Sequence, residues 1–306
     1  MMDLMCGENT NENQNRKQRE FRTGTWKGGK IMGSSHQKKK SKTPQDNEES
    51  QDNKKSQESK GGLISFVLLN ESVIDLDLLA KSLEEDWGII IPEDDIDKER
   101  ESFVTEVDGM MVAVSLMPGP VPNGEAVVNA GTNMNWPEAV NVAETHKAHI
   151  LVIVLNREQS QLDAAVLYVK VCAGCLRQPN ASAINTLGSV FSPEFYIEAA
   201  EAYLENDSFP IWNLVFFGLY SNDRGKTFCG YTYGMDVFGK KNLEIIDSPQ
   251  SPEDIQNFLV SIAGYVIESD VTLKDGETIG FSAEQKLLIT ESAGVALDES
   301  TLKIGF

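Results

Sequence analysis

No apolar run in this sequence reaches the ~18 residues that a membrane-spanning helix requires, and its N-terminus lacks the apolar core of a signal peptide. Cysteine is scarce. Cys6, Cys172, Cys175 and Cys229 are too few to staple a chain of 306 residues, so no disulfide framework is expected. Histidine is scarcer still, with 3 in all, and His36 falls in a polar N-terminal stretch. There is no Gly-x-x-x-x-Gly-Lys-Ser/Thr phosphate loop and no Gly-x-Ser-x-Gly nucleophile elbow. Together these absences point to a cytoplasmic protein with reduced thiols, no membrane segment and no expected cofactor.

Positive charge is scarce over most of the chain. Residues 61–306 hold 14 Lys+Arg against 38 Asp+Glu, whereas residues 1–60 hold 13 against 9. A body this acidic repels phosphate backbones and is a poor nucleic-acid binder. It suits either solubility or a basic protein partner. Residues 1–60 are dominated by Asn, Gln, Lys, Glu, Ser and Gly. Such a segment cannot bury enough apolar surface to offset its chain entropy, and a disordered tail is expected. Lys38-Lys39-Lys40 is a basic cluster able to touch an acidic surface, including the chain's own body. Met32 offers an alternative start.

What is present is layout. Ile150 to Leu155 is an apolar, β-branched run ending at Asn156 and reads as a buried central strand. Leu63–Leu69 reads as a strand, and Asp75 can cap a helix over 76–87, where Leu76, Leu79, Leu83 and Trp87 follow helical spacing. Two strands, 103–107 and 110–116, flank Asp108-Gly109, a strong hairpin signal. Trp136-Pro137 opens a helix that leads to the strand at Ile150. Residues 63–155 thus spell β-α-β-β-α-β, the ferredoxin-like order. A long helix over 158–176 follows, and residues 184–281 repeat the order, with helix starts at Ser192-Pro193 and Ser251-Pro252. The expected class is α+β: a single globular domain over 61–306, built of two ferredoxin-like halves joined by a long helix, with extra short strands at the end.

Four features invite chemistry. His146 and His149 form His-x-x-His and can share a metal with a further ligand such as Glu144, or else serve as caps and core hydrogen-bonding groups. Cys172 and Cys175 form Cys-x-x-Cys, but at the end of a helix, where the dipole raises rather than lowers a thiol pKa. All four side chains together are chemically able to hold zinc, though nothing in their spacing demands it. The acidic stretch 93–99 lacks the ligand alternation of an EF-hand and reads as a solvated loop. Asp223-Arg224-Gly225-Lys226 reads as a hairpin tip.

One resemblance rests on Gly234-Met235-Asp236-Val237-Phe238-Gly239-Lys240, on Leu243-Glu244-Ile245 and on Asp275 to Ser282. The ending, Ser292-Ala293-Gly294-Val295 to Leu302-Lys303-Ile304, fits the same pattern, as does His146-Lys147-Ala148-His149. The chain resembles the bacterial domain-of-unknown-function 4261 family over about residues 63–306, most strongly over 234–306. The resemblance implies a bacterial, cytoplasmic, globular unit and carries no catalytic residues. The expected function is a protein-interaction module of the adaptor or toxin-neutralising type with a basic protein partner. The alternative is a metal-dependent, hydrolase-like enzyme using His146 and His149.

Overall fold

The computed structural model describes residues 62–306, save 134, 158, 207, 224 and 281–284 and the side chains of 203–205. The expected tail, Glu158 at the start of the long helix, Arg224 of the hairpin tip and Phe281 at the end of the last repeat lie outside the described residues.

The chain order opens with β1 (Leu63–Leu69), α1 (Leu76–Trp87), β2 (Ile96–Asp97), β3 (Ser102–Val107) and β4 (Met110–Met117). It continues with α2 (Glu125–Ala130), α3 (Ala139–Thr145), β5 (Ala148–Leu155), α4 (Gln161–Cys175), β6 (Ala181–Thr186) and β7 (Ser189–Phe191). These seven strands form one sheet in the order β2-β3-β4-β5-β1-β6-β7. Then come α5 (Pro193–Asn206), α6 (Ile211–Leu214), β8 (Phe216–Tyr220), β9 (Phe228–Tyr233), β10 (Leu243–Ser248) and α7 (Pro252–Glu268). The chain ends with β11 (Thr278–Ile279), β12 (Leu287–Ala293) and β13 (Ser300–Ile304). The second sheet runs β11-β12-β13-β10-β9-β8.

Local chemistry explains the element ends. The Asp75 carboxylate accepts from the Leu78 N–H, and Gly88 closes α1 in the left-handed region at φ 68°. Asp108 and Gly109 both take positive φ, as the tight β3–β4 hairpin demands. The Ser160 hydroxyl caps α4, so that helix begins at Gln161 rather than 158. The Ser251 hydroxyl caps α7 with Pro252 at its first turn.

The expected α+β class holds, but the strand order is not ferredoxin-like. A split βαβ unit needs a pair of parallel strands with another between them. Here the strands that each helix joins do not meet this: β1 and β3 are antiparallel with two strands between them, and β4 and β5 are direct antiparallel neighbours. The second half also loses its first strand. Leu187 and Gly188 both take positive φ and break the expected strand over 184–191 into a β6–β7 hairpin. That hairpin pairs with β1 and joins the first sheet. The second sheet completes itself instead with β10, which the sequence reading assigned to no element, and with the expected terminal strands β12 and β13.

The main core lies between the first sheet and α1, α4 and α5. It includes Val67, Leu69, Leu79, Leu83, Val152 and Tyr168. A second core packs α7 on the second sheet, with Ile255, Phe258 and Leu259 against Leu243, Ile245 and Leu302. Gly230 lets this helix approach closely, since a Cβ there would sit 2.5 Å from Ile255 Cγ2. Phe209 and Phe238 touch both cores. A small third cluster joins α2 and α3 to the other face of the first sheet, at the β1–β6–β7 end, through Leu68, Ala126, Ala143 and Val190.

Candidate functional site

β5 is the middle strand of the first sheet, as its apolar run suggests, but it is not equally buried on both sides. Its burial alternates from Ile150 onward: Ile150, Val152 and Val154 are buried, and Leu151, Ile153 and Leu155 only half-buried. The register carries this half-open face across four strands. Val104 in β3 opposes Ala113 in β4, Ala113 opposes Ile153 in β5, and Ile153 opposes Ile64 in β1. Val104 is 55% exposed and Ile64 52% exposed at the two ends of this row. One step along the sheet, Leu155 opposes Met111. A step the other way, Phe66 opposes Leu151 and Leu151 opposes Ser115. Helices α2 and α3 cover only the neighbouring strip over β1, β6 and β7. Open apolar sheet surface of this kind marks binding sites more often than accident.

The β2 edge of this face is acidic, while Arg157 reaches Met111 Sδ at 3.9 Å on the face itself. β2 borders β3 on the outside. Around it, residues 93–101 hold six carboxylates against Lys98 and Arg100. Lys98 is engaged by Asp77 at 2.8 Å, and the same contact raises its pKa. Arg100 lies 3.5 Å from Asp97. Glu106 is exposed and opposes Met111 on the open face itself.

The two histidines stand where the helical cover meets the open sheet. His146 Nε2 accepts from the Val121 N–H at 2.8 Å, and its Nδ1 faces the Ala143 carbonyl. A backbone N–H only donates and a carbonyl only accepts, so His146 is neutral, carries its proton on Nδ1 and has no lone pair left for a metal. His149 donates from Nδ1 to the Gly119 carbonyl at 2.8 Å and meets Phe66 edge-on, at 5.3 Å between ring centres. Burial lowers the His149 pKa, against the Gly119 hydrogen bond that raises it. Both histidines are 6% exposed. They pin the turn 117–124 and the end of α3 to β5. Glu144 points to solvent.

Cys172 and Cys175 lie on α4, across the sheet from the histidines. The Cys172 thiol meets the Ser65 hydroxyl at 3.1 Å on the inner face of β1, and burial pushes its pKa to about 12. Burial also raises Cys175 well above its ordinary value. Neither thiol is set up to act as a nucleophile. The structure therefore does not bring the four zinc candidates together. Among the described residues no group of three or more His, Cys, Asp or Glu is placed to hold a metal. Asp223 accepts from the N–H groups of Lys226 and Thr227 at 2.9 and 2.8 Å, which closes the expected hairpin tip and lowers its pKa.

Sequence reading passed over the most deeply buried charge among the described residues. Glu244 in β10 is fully buried. It accepts from the N–H groups of Val295 and Ala296 at 3.0 and 2.8 Å, from the Thr301 hydroxyl at 2.9 Å and from Lys303 Nζ at 3.1 Å. Burial works to raise its pKa, but these donors outweigh burial and hold it below the ordinary carboxylate value. Lys303 also donates to the carbonyls of Ser292 and Ala293. Beside this clasp, Asn242 receives the Thr232 hydroxyl and the Met235 N–H and donates to Glu299. The cluster is saturated by its own chain, so its chemistry is that of a lock on the fold.

The fold and these sites define a two-sheet α+β protein with one open apolar sheet face, acidic along its β2 edge. Similarity to a known family appears at the C-terminal end. Residues 231–305 match the family described as Domain of unknown function (DUF4261), the family that the sequence resembles. The match begins inside β9 and leaves the first sheet and the two histidines outside it. No curated protein and no solved structure matches the chain. The matched stretch holds the Glu244 clasp, the Gly234 and Gly239 turns at φ 101° and 66°, and the Asp275 carboxylate that accepts from the Glu291 N–H. Within this chain those residues serve the architecture of the second sheet.

Proposed function

We propose that the protein is an interaction module of the adaptor or toxin-neutralising type, and that the open face of the first sheet holds a basic protein partner. One observation carries the proposal: the row Val104–Ala113–Ile153–Ile64, apolar across four strands and left uncovered, beside an acidic rim. A complementary partner would place apolar side chains on the row and cations toward residues 93–101 and Glu106. Such rim charges mainly speed encounter and select sign, while the apolar centre holds the complex. The Met111 and Met117 side chains suit a surface that adapts to its partner.

The test uses the immobilised full chain and its Ile153→Glu variant, each exposed to host lysate at low and high salt. A basic protein held by the wild type, released by salt and missing from the variant is the expected result. The same proteins on both columns, or none on either, would overturn the proposal. Among the described residues no helix is long and apolar enough to cross a membrane.

A further inference from the structure

We infer that the open sheet face is occupied by the chain's own residues 16–32. This inference rests on the binding face proposed above and names a built-in occupant for it. Before Leu63 the only Phe, Trp or Tyr residues are Phe21 and Trp26, and they stand in a cationic part of that stretch. Residues 16–32 hold six Lys and Arg against Glu20, with Ile31 and Met32 closing the segment. Aromatic anchors among cations are the complement of an apolar sheet row beside a carboxylate rim.

Geometry and reach agree with this. The chain enters the first sheet at Gly62, packed so closely on Leu155 that a Cβ there would lie 2.3 Å from Leu155 Cδ2. Leu155 is itself part of the open face, so the described chain begins at its border. Residues 33–61 link the segment to that point, and a polar linker of this length spans roughly 30 Å root-mean-square. The face is smaller than that. Four strands about 4.8 Å apart and six residues of β4 at about 3.3 Å each give roughly 20 Å in each direction.

The same dimensions argue against a second copy. Two such faces packed together would bury about 800 Å² in all, short of the ~1,200 Å² that stable complexes need. Two strongly acidic bodies would also repel each other. A tethered segment escapes both limits, because its effective concentration is in the millimolar range and its charge is opposite.

Chymotrypsin tests the inference on the full chain. It cuts after Phe21 and Trp26, and residues 33–61 contain no Phe, Trp, Tyr or Leu at which it would sever the tether. Cleavage after Phe21 and Trp26 should be at least tenfold slower in the wild type than in a synthetic peptide of residues 16–32. It should return to the peptide rate in Ile153→Glu. Val104→Glu, at the exposed edge of the row, serves as a second variant should Ile153→Glu lower the melting temperature. Wild-type cleavage at the peptide rate, or protection that survives both face variants, overturns the inference. A dimeric mass in sedimentation accompanying the protection assigns the face to a second copy and overturns it as well. A full chain carrying Phe21→Ser and Trp26→Ser, titrated with the fluorescein-labelled peptide, separates the two levels. If it binds the peptide while the wild-type segment is unprotected, the binding face stands and the internal occupant falls. If it binds no peptide, both fall.

Discussion

Replacing Glu244 by Gln should cost this protein more stability than almost any other single change of equal size. The carboxylate sits at 0% exposure and takes two backbone N–H groups, a hydroxyl and the Lys303 ammonium. A carboxamide has one acceptor oxygen. Facing the Val295 and Ala296 N–H groups, it turns its NH2 toward Thr301 and Lys303. Thr301 can rotate its hydroxyl to accept, but Lys303 has only protons to offer. The loss is one charge-assisted hydrogen bond plus a mostly buried cation without its counter-charge. Hydrogen bonds to charged groups contribute about 1.5–3 kcal/mol, and breaking a buried pair from one side costs about 3–5 kcal/mol. We therefore expect about 3 kcal/mol, which for a described body of this size lowers the melting temperature by roughly 6–12 °C. The pH dependence gives a second readout. The folded pKa lies below the ordinary 4.5, so the stabilisation is complete above that value and is lost as pH falls through the folded value. Glu244→Gln should lack that part of the acid limb. Calorimetry of both proteins between pH 7 and pH 3 measures both effects. A melting temperature within about 1 °C of wild type at pH 7, with the acid limb unchanged, would refute the assignment of Glu244 as a lock.

Other expectations follow from the same contacts. His149 is held neutral, with its folded pKa below 6.5, so stability should decline as pH falls from that value, and His149→Gln should flatten this stretch of the curve in urea melts. His146→Phe leaves the Val121 N–H and the Ala143 carbonyl without their partner and should cost about 1–3 kcal/mol; equal stability of the variant would free His146 for another role. The Cys172, Cys175 and Cys229 thiols are buried and should resist alkylation at pH 8 until the protein unfolds, as peptide mass spectrometry can follow. Gly188→Ala forces a side chain into positive φ and against the Tyr233 ring at 3.0 Å, and should lower the denaturation midpoint by more than Gly225→Ala, which shares the positive φ but meets nothing within 4 Å.

How far the sequence carried depended on the range of the interaction. Caps and turns are settled within four residues, so Asp75, Ser251-Pro252 and Asp108-Gly109 announced their elements correctly. The apolar run at 150–155 marked the middle strand for the same reason. Yet that run also held the clue that was misread. Apolar residues at both parities of β5 and β4 say that each face prefers to leave water; they do not say what covers it. The prediction took cover on both sides for granted, and the fold supplies only half of it. The histidines were singled out for their spacing, and their hydrogen bonds to Val121, Ala143 and Gly119 tie them to a turn. Nothing in local sequence distinguishes those outcomes, because the partners of His149 and His146 lie up to 30 residues away.

The sequence by itself determined the caps and turns at Asp75, Asp108-Gly109 and Ser251-Pro252, the acidic character of the body, and the lack of a phosphate loop or nucleophile elbow. These are properties of composition and of neighbours in the chain. Only the tertiary structure decided which strands pair. It moved β6 and β7 from the second half onto β1 and set β5 beside β4. It put a sheet between the histidines and the cysteines, which no spacing rule could exclude. It also closed residues 295–303 over Glu244, some 50 residues away in the chain. The physical reason is the same in each case. Pairing and burial are long-range choices made by the whole core at once, whereas turns and caps are local balances of backbone geometry and hydrogen bonding.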